Sequence, residues 1–265
     1  MRARGGVAAT VDEDLSALFR VNFEDGMAAF RVQRDVDTTA FIREMAQFLV
    51  TFRPGPGNFY TTLFRRLGNR LGSSVVIATT NYDLLIELAL AAAGRRIKYA
   101  IGGEPGPGVP LLKIHGSANF VLDTGVKMIG VKFANNAVNV DAPVRAANLH
   151  ELEHYFQTED STAPAMALYA KGKAVLFGPG AVKQQLDEFH ASIERAARIF
   201  VIGLRVNEED THIWTNLAAT KAPVYYVSPE RDRYAAWSRH CRGKRYHLAE
   251  TFAEAVRLIP SILSA

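Results

Sequence analysis

The amino-acid sequence predicts an α/β fold with a doubly wound, Rossmann-like parallel sheet and helical insertions that form a smaller lobe. Short apolar runs rich in β-branched residues alternate with segments whose apolar residues recur at three- and four-residue spacing, the pattern of strands alternating with amphipathic helices. The strand-like runs are apolar throughout and end in small or polar residues, as expected for strands that helices cover on both faces. A chain of 265 residues that is 48% hydrophobic is long enough to build such a core.

The first half of the chain begins with helices and then enters this alternation. Helical spacing indicates helices over residues 38–52 and 58–71, after weaker helical segments in residues 11–37. The Pro- and Gly-rich residues 53–57 separate the two helices. The alternation then predicts a strand at 74–79, a helix at 84–93, a strand at 96–101, a loop at 102–110 and a strand at 111–115.

The second half resumes the alternation after an interruption. Residues 117–172 show few clear strands, with helices expected around 146–156 and 163–171, and we interpret them as an inserted cap or small lobe over the ligand cleft. Residues 1–265 would then form a single domain with one insertion. After the insertion we expect a strand at 174–177, a helix at 182–195, strands at 198–203 and 223–228, a helix, a strand at 244–248 and a closing helix.

Composition narrows the classes of partner. Lys and Arg total 31 against 27 Asp and Glu, a net charge of +4, and we interpret the densest basic stretch, residues 231–245, as a solvated helix and turn rather than a nucleic-acid site. Cys241 is the only cysteine, which excludes a disulfide within the chain and a cysteine-based zinc site. Because no apolar run is long enough to span a membrane and no signal core is visible, we expect a cytoplasmic protein that binds no membrane.

Ligands of doubly wound sheets bind beyond the carboxyl ends of the strands, and polar residues follow the strand predicted at 74–79. Asn81 can hold a ribose hydroxyl or a water molecule because its amide both donates and accepts hydrogen bonds. Asp83 can accept a hydrogen bond from a carboxamide. The alternative is that Asn81 or Asp83 caps the following helix, and spacing alone does not separate the two interpretations.

A second candidate, His115, ends the strand predicted at 111–115. A histidine at a strand end can act as a general base, and Gly116 permits close approach of a ligand or of backbone. The alternative is a core histidine bonded to backbone.

The third candidate follows the strand at 198–203. Gly203 ends that strand, and Arg205 could pair with a phosphate near the N-terminus of the next helix. The alternative is a tight turn with a capping cluster over residues 207–210, and His212 is interpreted as structural. No acidic or histidine pattern here predicts a metal site.

The order of these motifs resembles the sirtuin family, and most closely the sirtuin-like domains of bacterial anti-phage defence systems. Those typically read Thr-Thr-Asn-Tyr-Asp and Lys-Leu-His-Gly-Ser, and residues 79–83 and 113–117 differ from them only at Ile114. The resemblance covers about residues 74–228. It implies an NAD site, with Asn81 at the nicotinamide ribose and His115 as the catalytic base. The other residues expected to bind NAD are Thr80, Asp83 at the carboxamide, Gly116, Ser117, Gly203 and Arg205 near the phosphates or adenosine ribose, and Ser228 near the adenosine end.

The resemblance also implies the reaction. Defence-type relatives mostly hydrolyse NAD to nicotinamide and ADP-ribose, and protein deacylation is the other family activity. Deacylating sirtuins usually carry Gln where this chain has Thr80, and a four-cysteine zinc module that one cysteine cannot form. Both departures favour an NAD hydrolase without a metal over a deacylase.

The glycine-rich loop with which the family cradles the pyrophosphate has only Gly5 and Gly6 as candidates here. Either these residues are a remnant of that loop, or the chain begins downstream of it. A non-catalytic subunit that binds NAD or ADP-ribose is therefore an alternative. By analogy, the domain could form a homo-oligomer or act with a partner protein such as a defence ATPase.

Overall fold

The computed structural model describes residues 6, 12–21, 26, 29–30, 38–101, 107–123, 125, 140–158, 161–167 and 175–264. The helices in these ranges are α1 (Glu13–Val21), α2 (Thr38–Leu49), α3 (Phe59–Leu67), α4 (Leu85–Ala92), α5 (Leu149–Gln157), α6 (Pro179–Arg195), α7 (Thr211–Ala219), α8 (Arg231–Ser238) and α9 (Phe252–Ser264). The strands are β1 (Ile77–Thr79), β2 (Ile97–Tyr99), β3 (Val109–Lys113), β4 (Phe120–Leu122), β5 (Val144–Ala146), β6 (Ile199–Ile202), β7 (Val224–Val227) and β8 (Arg245–Ala249). A 3-10 turn, Gly68–Arg70, follows α3.

Six strands form two parallel sheets, so the predicted parallel α/β arrangement is confirmed. One sheet has the order β1-β3-β2 and the other the order β6-β7-β8. In the first sheet Thr79 is in register with Lys113, and in the second Ile202 is in register with Val227. The carboxyl ends of β1 and β3 therefore meet at one edge, and those of β6 and β7 meet at another.

Helices cover both faces of these sheets, which makes the fold doubly wound. Leu111 of β3 and Val227 of β7 share a buried core with α3, α4 and α9. Leu112 of β3 and Tyr226 of β7 pack instead in a second core with α7 and α8. Because successive strand residues point to opposite faces, the shared cores place the two sheets in one layer between two layers of helices.

Helix boundaries in the first half follow local chemistry. Helix α3 begins after Asn58, whose side chain accepts a hydrogen bond from the Thr61 backbone N–H at 2.9 Å, a standard N-cap contact. It ends at Gly68, which has φ +55°, a conformation that favours glycine. The predicted helix at 38–52 is confirmed over residues 38–49 by α2, and residues 50–52 lie beyond its end.

The region predicted as an insertion, residues 117–172, contains an antiparallel pair, β4 and β5, and the helix α5. The helix expected around 146–156 is confirmed, and Asn148 and Glu151 form a reciprocal capping box at its start. The helix expected at 163–171 is wrong over residues 163–167, which are extended. Their backbone bonds instead to the β3–β4 connection: Ala165 N–H donates to the Phe120 carbonyl and Ala167 N–H to the His115 carbonyl, both at 2.8 Å.

Two further elements differ from the expected bounds. Residue 174 lies outside the described residues, and the strand expected at 174–177 appears only as isolated bridges at Val175 and Phe177. Strand β3 begins at Val109, inside the loop expected at 102–110, and ends before His115. In the described ranges, no helix is long and apolar enough to cross a membrane.

Candidate functional site

Asn81 lies in the turn between β1 and α4, at the carboxyl end of the first sheet. Its side chain is exposed, Thr80 beside it is half-buried, and its backbone N–H donates to the Thr79 hydroxyl at 3.1 Å. Asp83 Oδ1 accepts a hydrogen bond from the Leu85 N–H at 3.0 Å, so Asp83 bonds to the first N–H of α4 from the position before the N-cap residue, Leu84. Of the two candidates in this turn, Asn81 is therefore the one that is exposed to solvent.

A buried ion pair supports this turn from within the protein. Lys113, on β3, has a side chain that is 1% exposed, and its Nζ lies 3.1 Å from Glu87 Oε1 on α4. The same ammonium donates to the Asp83 carbonyl oxygen at 2.5 Å, and the Tyr99 hydroxyl donates to Glu87 Oε1 at 3.1 Å. These bonds connect the Asn81 turn to the centre of the sheet.

Tyr60, on α3, is a further ionisable group beside this turn. Burial, and secondarily the Asp83 carboxylate, raise the pKa of Tyr60 above its usual range. Its hydroxyl is therefore a hydrogen-bond donor at neutral pH.

His115 lies directly beyond the end of β3 and is 3% exposed. Its Nε2 is 2.9 Å from Nε2 of His212, which is the second residue of α7. His190 Nε2, on α6, donates to the His212 carbonyl oxygen at 2.7 Å. The imidazole of His212 thus contacts the candidate catalytic base. The sequence analysis interpreted His212 as structural and did not predict this contact.

A signal for His212 does exist in the sequence. It stands in the first turn of the helix that follows β6, and the start of such a helix lies at the same edge as the strand ends. Within the described ranges, no group of three or more His, Cys, Asp and Glu side chains is placed to hold a metal ion.

The Gly116 backbone and the Ser117 side chain both make close contacts within the protein. Gly116 has φ +83°, and a Cβ atom there would lie 2.0 Å from the Ala165 carbonyl oxygen, so backbone approach requires glycine. Ser117 is fully buried, and its hydroxyl donates to the Tyr82 carbonyl at 3.4 Å. Its side chain thus faces the protein interior, and the contact of Ser117 with NAD stays a prediction.

Beyond the carboxyl ends of β6 and β7, in the second sheet, lie Gly203, Arg205 and Ser228. Gly203 is exposed with φ +68°, and a Cβ atom there would meet open space. The Arg205 side chain is 69% exposed, and its Nε lies 3.2 Å from Glu230 Oε1. Ser228 is buried, and its carbonyl accepts from His247 Nε2 at 2.8 Å. Of these residues, Gly203 and Arg205 are open to a ligand.

The loop between β6 and α7 also contains the expected turn. The Asp210 N–H donates to the Asn207 carbonyl at 3.0 Å, and the Glu209 N–H donates to Asn207 Oδ1 at 3.3 Å. Residues 207–210 thus form the expected turn, although the N-cap residue Asp210 makes no side-chain cap hydrogen bond. This turn leads directly into α7 and His212.

The structure therefore brings the predicted residues together in two groups. The Asn81 and His115 turns adjoin each other, since the Ile114 N–H donates to the Thr79 carbonyl at 3.1 Å and the Ala118 N–H donates to the Tyr82 carbonyl at 3.0 Å. Gly203 and Ser228 end neighbouring strands of the other sheet, and the contact between His115 and His212 connects the two groups.

The N-terminal glycines can be compared with this site only at Gly6. Gly5 lies outside the described residues. Gly6 is exposed with φ +76°, and a Cβ atom there would lie 2.1 Å from a carboxylate oxygen of Glu44 on α2. The role of Gly5 and Gly6 at the pyrophosphate stays a prediction.

Comparison with known proteins identifies no family. No family model matches the sequence, and no curated protein matches it. Among the solved structures that are similar to the chain, two are of mutant Sir2 homologues in complex with ADP-ribose. The first has 14% sequence identity and a TM-score of 0.41, covering 100% of this chain and 84% of that one. The second has 14% identity and a TM-score of 0.40, covering 99% and 83%.

Proposed function

We propose that this chain binds NAD at the carboxyl ends of its parallel strands and hydrolyses the bond between nicotinamide and ribose. One observation carries the proposal. The turn after β1, which contains Asn81, adjoins the turn after β3, which contains His115, at one edge of the sheet. An exposed amide and a histidine on adjoining turns are a suitable pair for orienting and deprotonating a water molecule. The ordered sequence motifs that carry these residues support NAD as the substrate.

The reaction requires little acid catalysis. The oxygen of a water molecule bonds to C1′ of the nicotinamide ribose while the C1′–N bond breaks, and the bonding electron pair returns to the pyridinium ring, which leaves as neutral nicotinamide. The proton released by the water goes to the His115 imidazole. The Asn81 amide would hold the water or a ribose hydroxyl, and Asp83 would accept a hydrogen bond from the carboxamide. Thr80 and Gly116 flank these two positions.

The rest of NAD would extend toward the second sheet. Gly203 offers open space, and the Arg205 guanidinium is exposed and can pair with a phosphate. Such a phosphate would compete with Glu230 for Arg205. Ser228, at the end of β7, would shape the adenosine end through its backbone, since its side chain is buried.

The biological setting is part of the same proposal. The resemblance of the motifs to defence-type sirtuin-like domains supports a cytoplasmic role in depleting NAD during phage infection. A homo-oligomer or a partner such as a defence ATPase would then control the activity, by analogy with those systems.

An assay of nicotinamide release from NAD tests the proposed activity. We expect Asn81→Ala and His115→Ala each to reduce turnover by about 100-fold or more, because each removes a group from the reacting centre. The matched control is His150→Ala, which removes an exposed imidazole on α5 and should leave turnover unchanged. Equal activity of all four proteins would reject the assignment.

A second candidate function is a module that binds NAD or ADP-ribose without cleaving it. The observation in its favour is that His115 is 3% exposed and its Nε2 already contacts His212. Titration calorimetry distinguishes the two functions: binding of NAD with no nicotinamide released after prolonged incubation would favour the module, and turnover that depends on His115 would exclude it.

A further inference from the structure

Two side chains beside the Asn81 turn have hydrogen-bonding capacity that the folded chain does not use. Asp83 Oδ1 accepts from the Leu85 N–H, but among the described residues no group donates to the other carboxylate oxygen, Oδ2. In the same part of the chain the Tyr60 hydroxyl has no hydrogen-bond partner. Both side chains are half-buried, so a donor and an acceptor remain available to a ligand.

Helix packing places Tyr60 next to Asp83. Helix α3 leads into β1 and α4 follows it, and both helices share one core, so they run side by side against the strand direction. Near their carboxyl ends, Arg65 Nη2 donates to the Ala92 carbonyl oxygen at 3.4 Å. Tyr60 lies five residues, or about 7.5 Å, before Arg65, and the same step back from Ala92 reaches the first turn of α4, which Asp83 precedes. The effect of the Asp83 charge on the pKa of Tyr60 agrees with this placement.

Aromatic rings continue from Tyr60 along the same edge of the fold. The ring of Phe252, the first residue of α9, has its centroid 5.3 Å from that of Tyr60. The ring of Phe59 lies 6.2 Å from Phe252 and is 48% exposed. The unused donor and acceptor therefore border an aromatic surface, and such a surface attracts a flat, positively charged ring such as the pyridinium of NAD.

The two polar groups match the hydrogen-bonding pattern of a primary carboxamide. A carboxamide presents a carbonyl oxygen, which accepts, and an NH2 group, which donates. The Tyr60 hydroxyl can donate to the first, and the Asp83 carboxylate can accept from the second. A carboxylate in the same place would offer acceptors alone, and the charge of Asp83 would repel it.

We propose that Tyr60 is a specificity-determining residue, whose hydroxyl donates to the carboxamide oxygen of nicotinamide while Asp83 Oδ2 accepts from the carboxamide NH2. The nicotinamide ring would then lie against the aromatic rings of Phe59 and Phe252. This inference rests on the proposed function and extends it to substrate choice, since the chain would select NAD over the analogue in which nicotinate replaces nicotinamide.

Kinetics of two conservative variants test this selection. Tyr60→Phe removes the hydroxyl alone, and we expect kcat/KM for NAD to fall by about 5-fold to 10-fold, the effect of one lost hydrogen bond. Tyr246→Phe, which makes the same change at an exposed ring on β8, is the matched control and should act as wild type. A Tyr60→Phe variant with the kcat/KM of wild type would overturn the proposal.

The role of Asp83 is tested with both substrates. Wild type should prefer NAD over the nicotinate analogue by about 100-fold or more in kcat/KM, because the analogue leaves polar groups unpaired. Asp83→Asn keeps an oxygen for the Leu85 N–H and gains an NH2 that can donate to a carboxylate, so we expect the preference to fall by about 10-fold. Equal kcat/KM of wild type for the two substrates, or an unchanged preference in Asp83→Asn, would overturn the proposal.

A binding measurement without NAD separates this inference from the proposed hydrolysis. In a proton NMR titration with nicotinamide alone, we expect Tyr60→Phe to raise the dissociation constant by about 5-fold to 10-fold, and we expect nicotinate to bind wild type more weakly than nicotinamide. Nicotinamide binding that depends on Tyr60, in a chain that never cleaves NAD, would reject the hydrolysis and leave the carboxamide site intact. NAD cleavage that depends on Asn81 and His115 but not on Tyr60 would overturn this inference alone.

Discussion

The Lys113 ammonium lies 3.1 Å from the Glu87 carboxylate, and both side chains are buried beneath the Asn81 turn. The pair also bonds to the Asp83 carbonyl and the Tyr99 hydroxyl, while Glu87 Oε2 has no hydrogen-bond partner among the described residues. A buried pair of this kind is most sensitive to loss of one member, because the other charge then stays desolvated and uncompensated.

The first prediction follows from this pair. Lys113→Met should lower the free energy of unfolding by about 3–5 kcal/mol, the usual cost of leaving one buried charge unpaired, as measured by urea denaturation. The double variant Lys113→Met with Glu87→Leu should be more stable than Lys113→Met alone, because it leaves no buried charge. Additive losses in the double variant would contradict the proposed coupling.

The second prediction compares two glycines with positive φ. Gly203→Ala should cost about 1–2 kcal/mol for the left-handed backbone alone, since a Cβ atom there meets open space. Gly116→Ala should cost clearly more, because its Cβ would also overlap the Ala165 carbonyl oxygen. Thermal and urea unfolding of the two variants measure the difference. Equal losses in the free energy of unfolding would contradict a close contact between residues 116 and 165.

The third prediction concerns Arg205 as a phosphate ligand. Arg205→Ala should weaken ADP-ribose binding by about 10-fold, equivalent to about 1.4 kcal/mol, in titration calorimetry. Glu230→Gln should bind at least as tightly as wild type, because Arg205 no longer has a competing carboxylate. Arg231→Ala, which removes an exposed guanidinium at the start of α8, is the matched control. Unchanged affinity in Arg205→Ala would place the phosphates elsewhere.

The fourth prediction is a loss of stability at alkaline pH. Burial raises the pKa of Tyr234 well above its usual value near 10, so the folded state retains a proton that the unfolded state releases. This stability is fully present below about pH 10 and is lost as pH rises beyond it. Tyr234→Phe should therefore show a smaller drop in melting temperature between pH 9 and pH 11 than wild type. Tyr246→Phe, at an exposed ring, is the control and should behave as wild type.

Much of the fold follows from the sequence for a simple physical reason. Strands such as β3, β6 and β7 are covered by helices on both faces, so they are short apolar runs that stand out against the amphipathic helices between them. The same alternation identifies the strand ends, and thereby Asn81, His115 and Gly203 as candidates. These inferences need only local pattern.

The remaining features depend on contacts between distant parts of the chain. His212 contacts His115 although the two residues are 97 positions apart in the sequence. Their contact depends on how the two sheets pack together. Likewise, residues 163–167 are extended because they bond to the segment after β3, which also buries Ser117. Helical spacing in 163–171 could not reveal that partner, because tertiary hydrogen bonds override local propensity.

The measurement that tests the proposed NAD hydrolysis most directly is a product analysis by proton NMR of NAD incubated with the purified chain. We expect nicotinamide and ADP-ribose to appear in equal amounts with wild type, and neither product to form at more than about 1% of that rate with Asn81→Ala or His115→Ala. NAD that stays intact with wild type, or nicotinamide released equally by the His115→Ala variant, would contradict the proposed activity.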